Sequence, residues 1–108
     1  MSNVIQVDEQ TFDQALKETE FAIVDFTADW CPPCKMMHPV YKAMSEKYGD
    51  QVKFLEVDSE HAPQLIARYS IHAMPTFTFF KNGEPVQRVV GARPSTKFEA
   101  EIQAFVNG

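Results

Sequence analysis

The stretch "FAIVDFTADWCPPCK", residues 21–35, runs from one periodicity into another. Residues 21–27 are apolar and β-rich with a single acid, Asp25. They read as a strand buried on both faces. Beyond the cysteines the pattern changes, and Met37, Val40, Tyr41, Met44 and Tyr48 recur at helical spacing. That helix is expected over roughly 33–48, with Gly49 as its stop. Pro39 lies inside it and is expected to kink it, because proline has no N–H and crowds the carbonyl four residues earlier. A buried strand passing into an amphipathic helix points to an α/β chain.

Outward from this junction the alternation continues. "VIQV" reads as a short first strand, and Thr11-Phe12-Asp13-Gln14 as a capping box opening a helix through about Thr19. "VKFLEVD", residues 52–58, is the next strand, followed by a short helix with Pro63 near its first turn. "TFTFFK" and "PVQRVV" flank Asn82-Gly83, which supplies the positive φ angles of a tight hairpin. Ser95 is expected to cap a last helix carrying Phe98, Ile102, Phe105 and Val106 on one side. Three β-α units, a hairpin and a helix require a mixed sheet, since crossovers make parallel neighbours and hairpins antiparallel ones.

With 108 residues the chain suits one domain, 1–108, with one core. Its apolar fraction of 44%, nine Phe and only four Gly are globular rather than disordered composition. A net charge of −5 argues against a nucleic-acid binder, which would carry a basic face. "MSNVIQVDEQ" has neither a basic start nor an apolar run of signal-peptide length, and no stretch nears the ~18 apolar residues of a membrane span. The expected setting is the cytoplasm, where thiols stay reduced. A close cysteine pair there is redox-active or metal-binding rather than a structural staple.

Cys31 falls where a strand ends and a helix begins, near unpaired N–H groups and the positive end of the helix dipole. Both favour the thiolate, which is the nucleophile. Cys34 is about one turn further on, so the two sulfurs can meet with little backbone movement. Cys31 can attack a foreign disulfide and Cys34 can close on it, releasing the partner reduced. Asp25 admits two readings: a structural acid held by a cap or water, or a buried carboxyl with a raised pKa that takes the proton Cys34 must lose. Pro75 is acceptable at a strand's first residue on structural grounds alone, and its isomer is not legible. Cys31, Cys34 and His38 form C-x-x-C-x-x-x-H, but no fourth ligand follows at zinc-site spacing, so no metal site is expected.

Taken together, "VDFTADWCPPCK", "AMPTFTFFKNG" and "VVGA" resemble the thioredoxin family in order and spacing, over nearly the whole chain. The resemblance implies a central five-stranded mixed sheet flanked by four α-helices. It implies that Cys31 attacks, Cys34 resolves and Asp25 is the buried acid/base. It further implies that Pro75 is cis, and that Trp30, Pro33, Met74, Pro75, Gly91 and Ala92 form the surface that receives a partner chain. No bound cofactor is implied. Electrons would come from NADPH through a flavin-dependent thioredoxin reductase and pass to peroxiredoxin, ribonucleotide reductase or methionine sulfoxide reductase.

The sequence departs from the family pattern in several places. Pro32 replaces the usual Gly between the cysteines and is a candidate for redox tuning. Thr27 and "AMPTF" look more like eukaryotic cytosolic members than bacterial ones. Phe54 falls where bacterial members carry a Lys near the buried Asp. Ala73 stands where vertebrate members have an extra Cys, so no disulfide-linked dimer forms through that site and a monomer is expected. The leading reading is a protein-disulfide reductase and dithiol electron carrier serving cell redox homeostasis. Tryparedoxins share "WCPPC" and draw on trypanothione, so a specialised redoxin is an alternative. A non-catalytic thioredoxin-fold binding module is another.

Overall fold

The computed structural model describes residues 2–108. Five strands form one sheet: β1 (Ile5–Val7), β2 (Phe21–Thr27), β3 (Lys53–Asp58), β4 (Thr76–Lys81) and β5 (Glu84–Val90). Four helices flank it: α1 (Phe12–Lys17), α2 (Pro32–Tyr48), α3 (Pro63–Arg68) and α4 (Ser95–Asn107). A short 3₁₀ turn, Ser59–His61, links β3 to α3. The strand order is β1-β3-β2-β4-β5. β1 and β2 run parallel to β3, while β4 is antiparallel to both β2 and β5. The expected thioredoxin architecture of five mixed strands and four helices is the one observed, and β2 occupies its centre.

The central position explains why β2 is apolar on both sides. Ile23 packs with Phe54, Phe77 and Phe79 under α2 and α4, where Met37, Tyr41, Phe98 and Ile102 meet them. Ala22, Val24 and Phe26 point the other way, towards Phe12, Leu16 and Leu65 of α1 and α3. Alternate residues of one strand thus seed two cores, as the period of two requires. Asn82 and Gly83 take φ of 52° and 83°, the left-handed pair of a tight hairpin turn. Pro85 sits beside the register shift that sets Phe80 against it, on an edge strand that can spare an N–H.

Three local expectations are corrected. The Thr11 capping box does not form, and α1 ends at Lys17 rather than near Thr19. The Asp8 carboxylate accepts from Gln10 N (2.9 Å) and Thr11 N (3.0 Å), while Thr11 Oγ1 accepts from Asp8 N (3.0 Å). Thr11 Oγ1 also donates to Asp8 Oδ1 (3.1 Å), so its hydroxyl is bonded to Asp8 rather than to the first helical N–H groups, and an Asp-centred turn leads into α1. Ser95 does not cap α4. It is the first helical residue, and the Pro94 carbonyl accepts from Lys97 N (3.1 Å) and Phe98 N (3.0 Å). Finally, α2 begins at Pro32, within a residue of the expected start, and runs through Pro39. Gly49 does close it, but at φ −60° rather than in a left-handed cap. There Asn3 Nδ2 donates to Ser45 O at 3.1 Å, and a Cβ on residue 49 would stand 2.8 Å from that nitrogen.

Candidate active site

The junction between β2 and α2 is built by its prolines. A residue before proline is biased to extended backbone, and a helix N-cap is also non-helical. Cys31 meets both demands at φ −100°, ψ 108°, and Pro32 and Pro33 supply the first two helical positions. The capping acceptor is sulfur: Cys34 N donates to Cys31 Sγ at 3.2 Å. The two cysteines are disulfide-bonded, with Cα atoms 5.2 Å apart. Both are buried, packed with Ala28 and half-buried Met74.

The loop before β4 comes to the same place. Met74–Pro75 is a cis peptide bond, and the Met74 carbonyl oxygen lies 3.5 Å from Cys31 Sγ. Gly91 N donates to Pro75 O at 2.8 Å, which ties the end of β5 to this loop. Gly91 does so at φ +91°, where a side chain is strained and glycine is not. Trp30 stands 65% exposed beside the disulfide. Pro32, Pro33 and Ala92 are also exposed, Met74 and Gly91 are half-buried, and Pro75 is buried, so of the residues expected to receive a partner Pro75 alone presents little surface. The sequence reading missed the other wall of this surface. Trp30, Ala28 and Met74 continue into Pro63, Ile66 and Ile71 around α3, forming an apolar groove of 440 Å³. No local motif marks those residues, because α3 reaches the site only through the sheet crossover.

Asp25 lies on the α2 side of β2. Ile23, Asp25 and Thr27 share one face of the strand, and Cys34, His38 and Tyr41 share one face of the helix. The two faces meet: the Tyr41 hydroxyl lies 2.9 Å from Ile23 O and 2.7 Å from Leu55 O, and Thr27 Oγ1 lies 3.3 Å from His38 Nε2. Asp25 is therefore held between them, on the helix face that begins at Cys34. It is 1% exposed, and neither carboxyl oxygen finds a hydrogen-bond partner among the described residues. Burial pushes its pKa well above the usual carboxylate range, and the charge of Glu56 pushes it further. Glu56 stands directly opposite Asp25 in the β2–β3 register. Phe54, two residues earlier on β3, is buried against Tyr41 with ring centroids 5.3 Å apart. The charge facing Asp25 is thus an acid. Only strand register reveals it, which is why the sequence reading did not name Glu56.

Comparison with known proteins agrees with this geometry. The family model described as Thioredoxin matches residues 3–104. "Thioredoxin Y, chloroplastic" of Oryza sativa subsp. japonica is 39% identical over 104 residues, covering 93% of this chain; the chain spans 62% of that protein's length. "Thioredoxin" of Porphyra purpurea is 34% identical over 106 residues, covering 97% of this chain and 99% of that protein. The solved structure of Malassezia sympodialis thioredoxin superposes with a TM-score of 0.89 at 38% identity, covering 98% of this chain and 93% of that one.

Proposed function

The chain belongs to the thioredoxin family, and on that premise we propose a division of labour among its site residues during disulfide reduction. A dithiol–disulfide reductase is what the cysteine pair and the family together support, with its reversible disulfide in place of a bound cofactor. The observation that carries the proposal is the hydrogen bond from Cys34 N to Cys31 Sγ at the start of α2.

In the reduced protein that donor and the helix N-terminus stabilise a Cys31 thiolate. The thiolate attacks one sulfur of the target disulfide; an S–S bond to Cys31 forms as the target's own S–S bond breaks, and one target thiolate leaves. Cys34 then loses its proton to the Asp25 carboxylate, whose raised pKa makes it a better proton acceptor than an ordinary carboxylate. The Cys34 thiolate attacks Cys31 Sγ, the intramolecular disulfide forms and the second target thiolate leaves. Two electrons pass to the target, and its two thiolates take up protons. Trp30, Pro33, Met74, Pro75, Gly91 and Ala92 are the proposed docking surface, with the α3 groove beside it.

The proposed electron source is NADPH through a thioredoxin reductase, and the proposed acceptors are peroxiredoxin, ribonucleotide reductase and methionine sulfoxide reductase. The proposed compartment is the cytoplasm, where such a reductase keeps the pair reduced. No helix of the described residues is long and apolar enough to cross a membrane.

Reduction of insulin disulfides, driven by NADPH and thioredoxin reductase and then by trypanothione or glutathione, tests the donor and the chemistry together. Turnover with thioredoxin reductase and its loss in Cys31→Ser are expected. Cys34→Ser should accumulate the mixed disulfide, because nothing remains to resolve it. Activity that survives Cys31→Ser refutes the assignment, and turnover with trypanothione alone moves the chain to the tryparedoxin-like reading.

A further inference from the structure

His38 and Glu56 take no part in the exchange above, yet both stand against the buried carboxyl. Asp25, His38 and Glu56 each offer one donor atom, and the three atoms lie within 4.8 Å of one another. Asp25 forms the floor, with both oxygens unpartnered among the described residues. Glu56 is half-buried and His38 exposed, so the cluster opens outward. Its mouth is a cleft of 270 Å³ lined by His38, Tyr41, Lys42, Glu56, Gln6 and Val4. A desolvated carboxylate without a donor is costly, and a second carboxylate facing it adds repulsion. A cation bound between the two relieves both.

We propose that Asp25, His38 and Glu56 bind one divalent transition-metal ion of the zinc class, with water completing its coordination. The donor set points to that class. One imidazole nitrogen and two carboxylate oxygens suit zinc and its neighbours, whereas calcium and magnesium take oxygen alone and the softer ions take thiolate. Bonds of ~2.0–2.2 Å place tetrahedral donors ~3.4 Å apart, so the cluster must close by about 1 Å or a little more. Rotation of exposed His38 and half-buried Glu56 supplies that movement, while Asp25 stays fixed in β2. Two neighbours steady these donors. Thr27 Oγ1 lies 3.3 Å from His38 Nε2, and Gln6 Nε2 donates to Glu56 Oε1 at 3.1 Å. If Asp25 is the base for Cys34, as proposed above, an ion on its carboxylate blocks that proton transfer and slows resolution of the mixed disulfide.

Zinc titrated calorimetrically into the oxidised protein tests the site, since the disulfide removes both thiolates as competing ligands. One saturable site per chain is expected, with affinity lowered at least about tenfold in each of Asp25→Asn, His38→Ala and Glu56→Gln. His61→Ala disrupts the exposed His61–Asp58 pair and should leave that affinity unchanged. Zinc should raise the melting temperature of the wild type and not of Asp25→Asn. Absence of saturable binding to the wild type, or wild-type affinity in any of the three site variants, overturns the proposal. The oxidised form does no reduction, so such a result leaves the disulfide-exchange assignment standing.

Discussion

Asp25 interrupts a strand whose other residues are apolar or uncharged, and its surroundings set a sign that can be measured. Burial first, and Glu56 second, raise its folded-state pKa. The folded protein therefore keeps this proton at pH values where the unfolded chain has released it, the unfolded carboxyl titrating near ~3.9. Stability then falls as pH rises from that value and levels off only above the folded-state pKa. Each unit of separation corresponds to about 1.36 kcal/mol. Asp25→Asn removes the dependence. In urea unfolding of the oxidised protein between about pH 4 and about pH 8, the variant should gain on the wild type as pH increases. A gap that stays constant across that range would show that Asp25 titrates as an ordinary carboxyl. The apolar run around Asp25 made a buried carboxyl one of its two readings; the acid that faces it was not legible at all, because Glu56 reaches it only through strand pairing.

Helix α2 carries the chemistry at its first turn, and there the two prolines matter as a pair. Pro32 adopts helical backbone although Pro33 follows it, against the usual bias of a residue before proline. Its ring also narrows the unfolded ensemble, an effect of ~0.4–1 kcal/mol in the opposite direction. Neither effect touches the bond from Cys34 N to Cys31 Sγ, which Pro32 does not supply. Pro32→Gly is therefore expected to move the reduction potential by tens of millivolts, on a scale where 30 mV is ~1.4 kcal/mol. Equilibration of both proteins with glutathione buffers measures it, and a difference above about 100 mV would sink the idea. The start of α2 was readable because proline restricts its own φ and the backbone before it. The cap bonds of α1 and α4 were not: Thr11 stands at the N-cap of α1 but its hydroxyl is bonded to Asp8, and Pro94 turned the chain into α4 ahead of Ser95. Caps of that kind depend on which neighbouring acceptor wins.

At the scale of the whole molecule, two cores share one sheet, and α4 closes the face that holds Asp25. Phe98 is fully buried there, with ring centroids 4.8 Å from Phe77 and 6.2 Å from Tyr41. Phe98→Ala should cost about 3–5 kcal/mol in urea unfolding, the range for truncating a buried aromatic. A loss under about 1 kcal/mol would show that the core collapses onto the gap. The sequence by itself determined the element order, the central strand, the hairpin at Asn82-Gly83 and the cysteine junction at the head of α2. Those features follow from periodicity, from φ preferences and from one turn of helix, all of them properties of neighbours in the chain. Tertiary structure alone decided that Glu56 faces Asp25, that His38 stands beside both, and that α3 completes the groove next to Trp30. Strand register and crossover packing join residues far apart in sequence, and no local pattern encodes which side chain will stand opposite which.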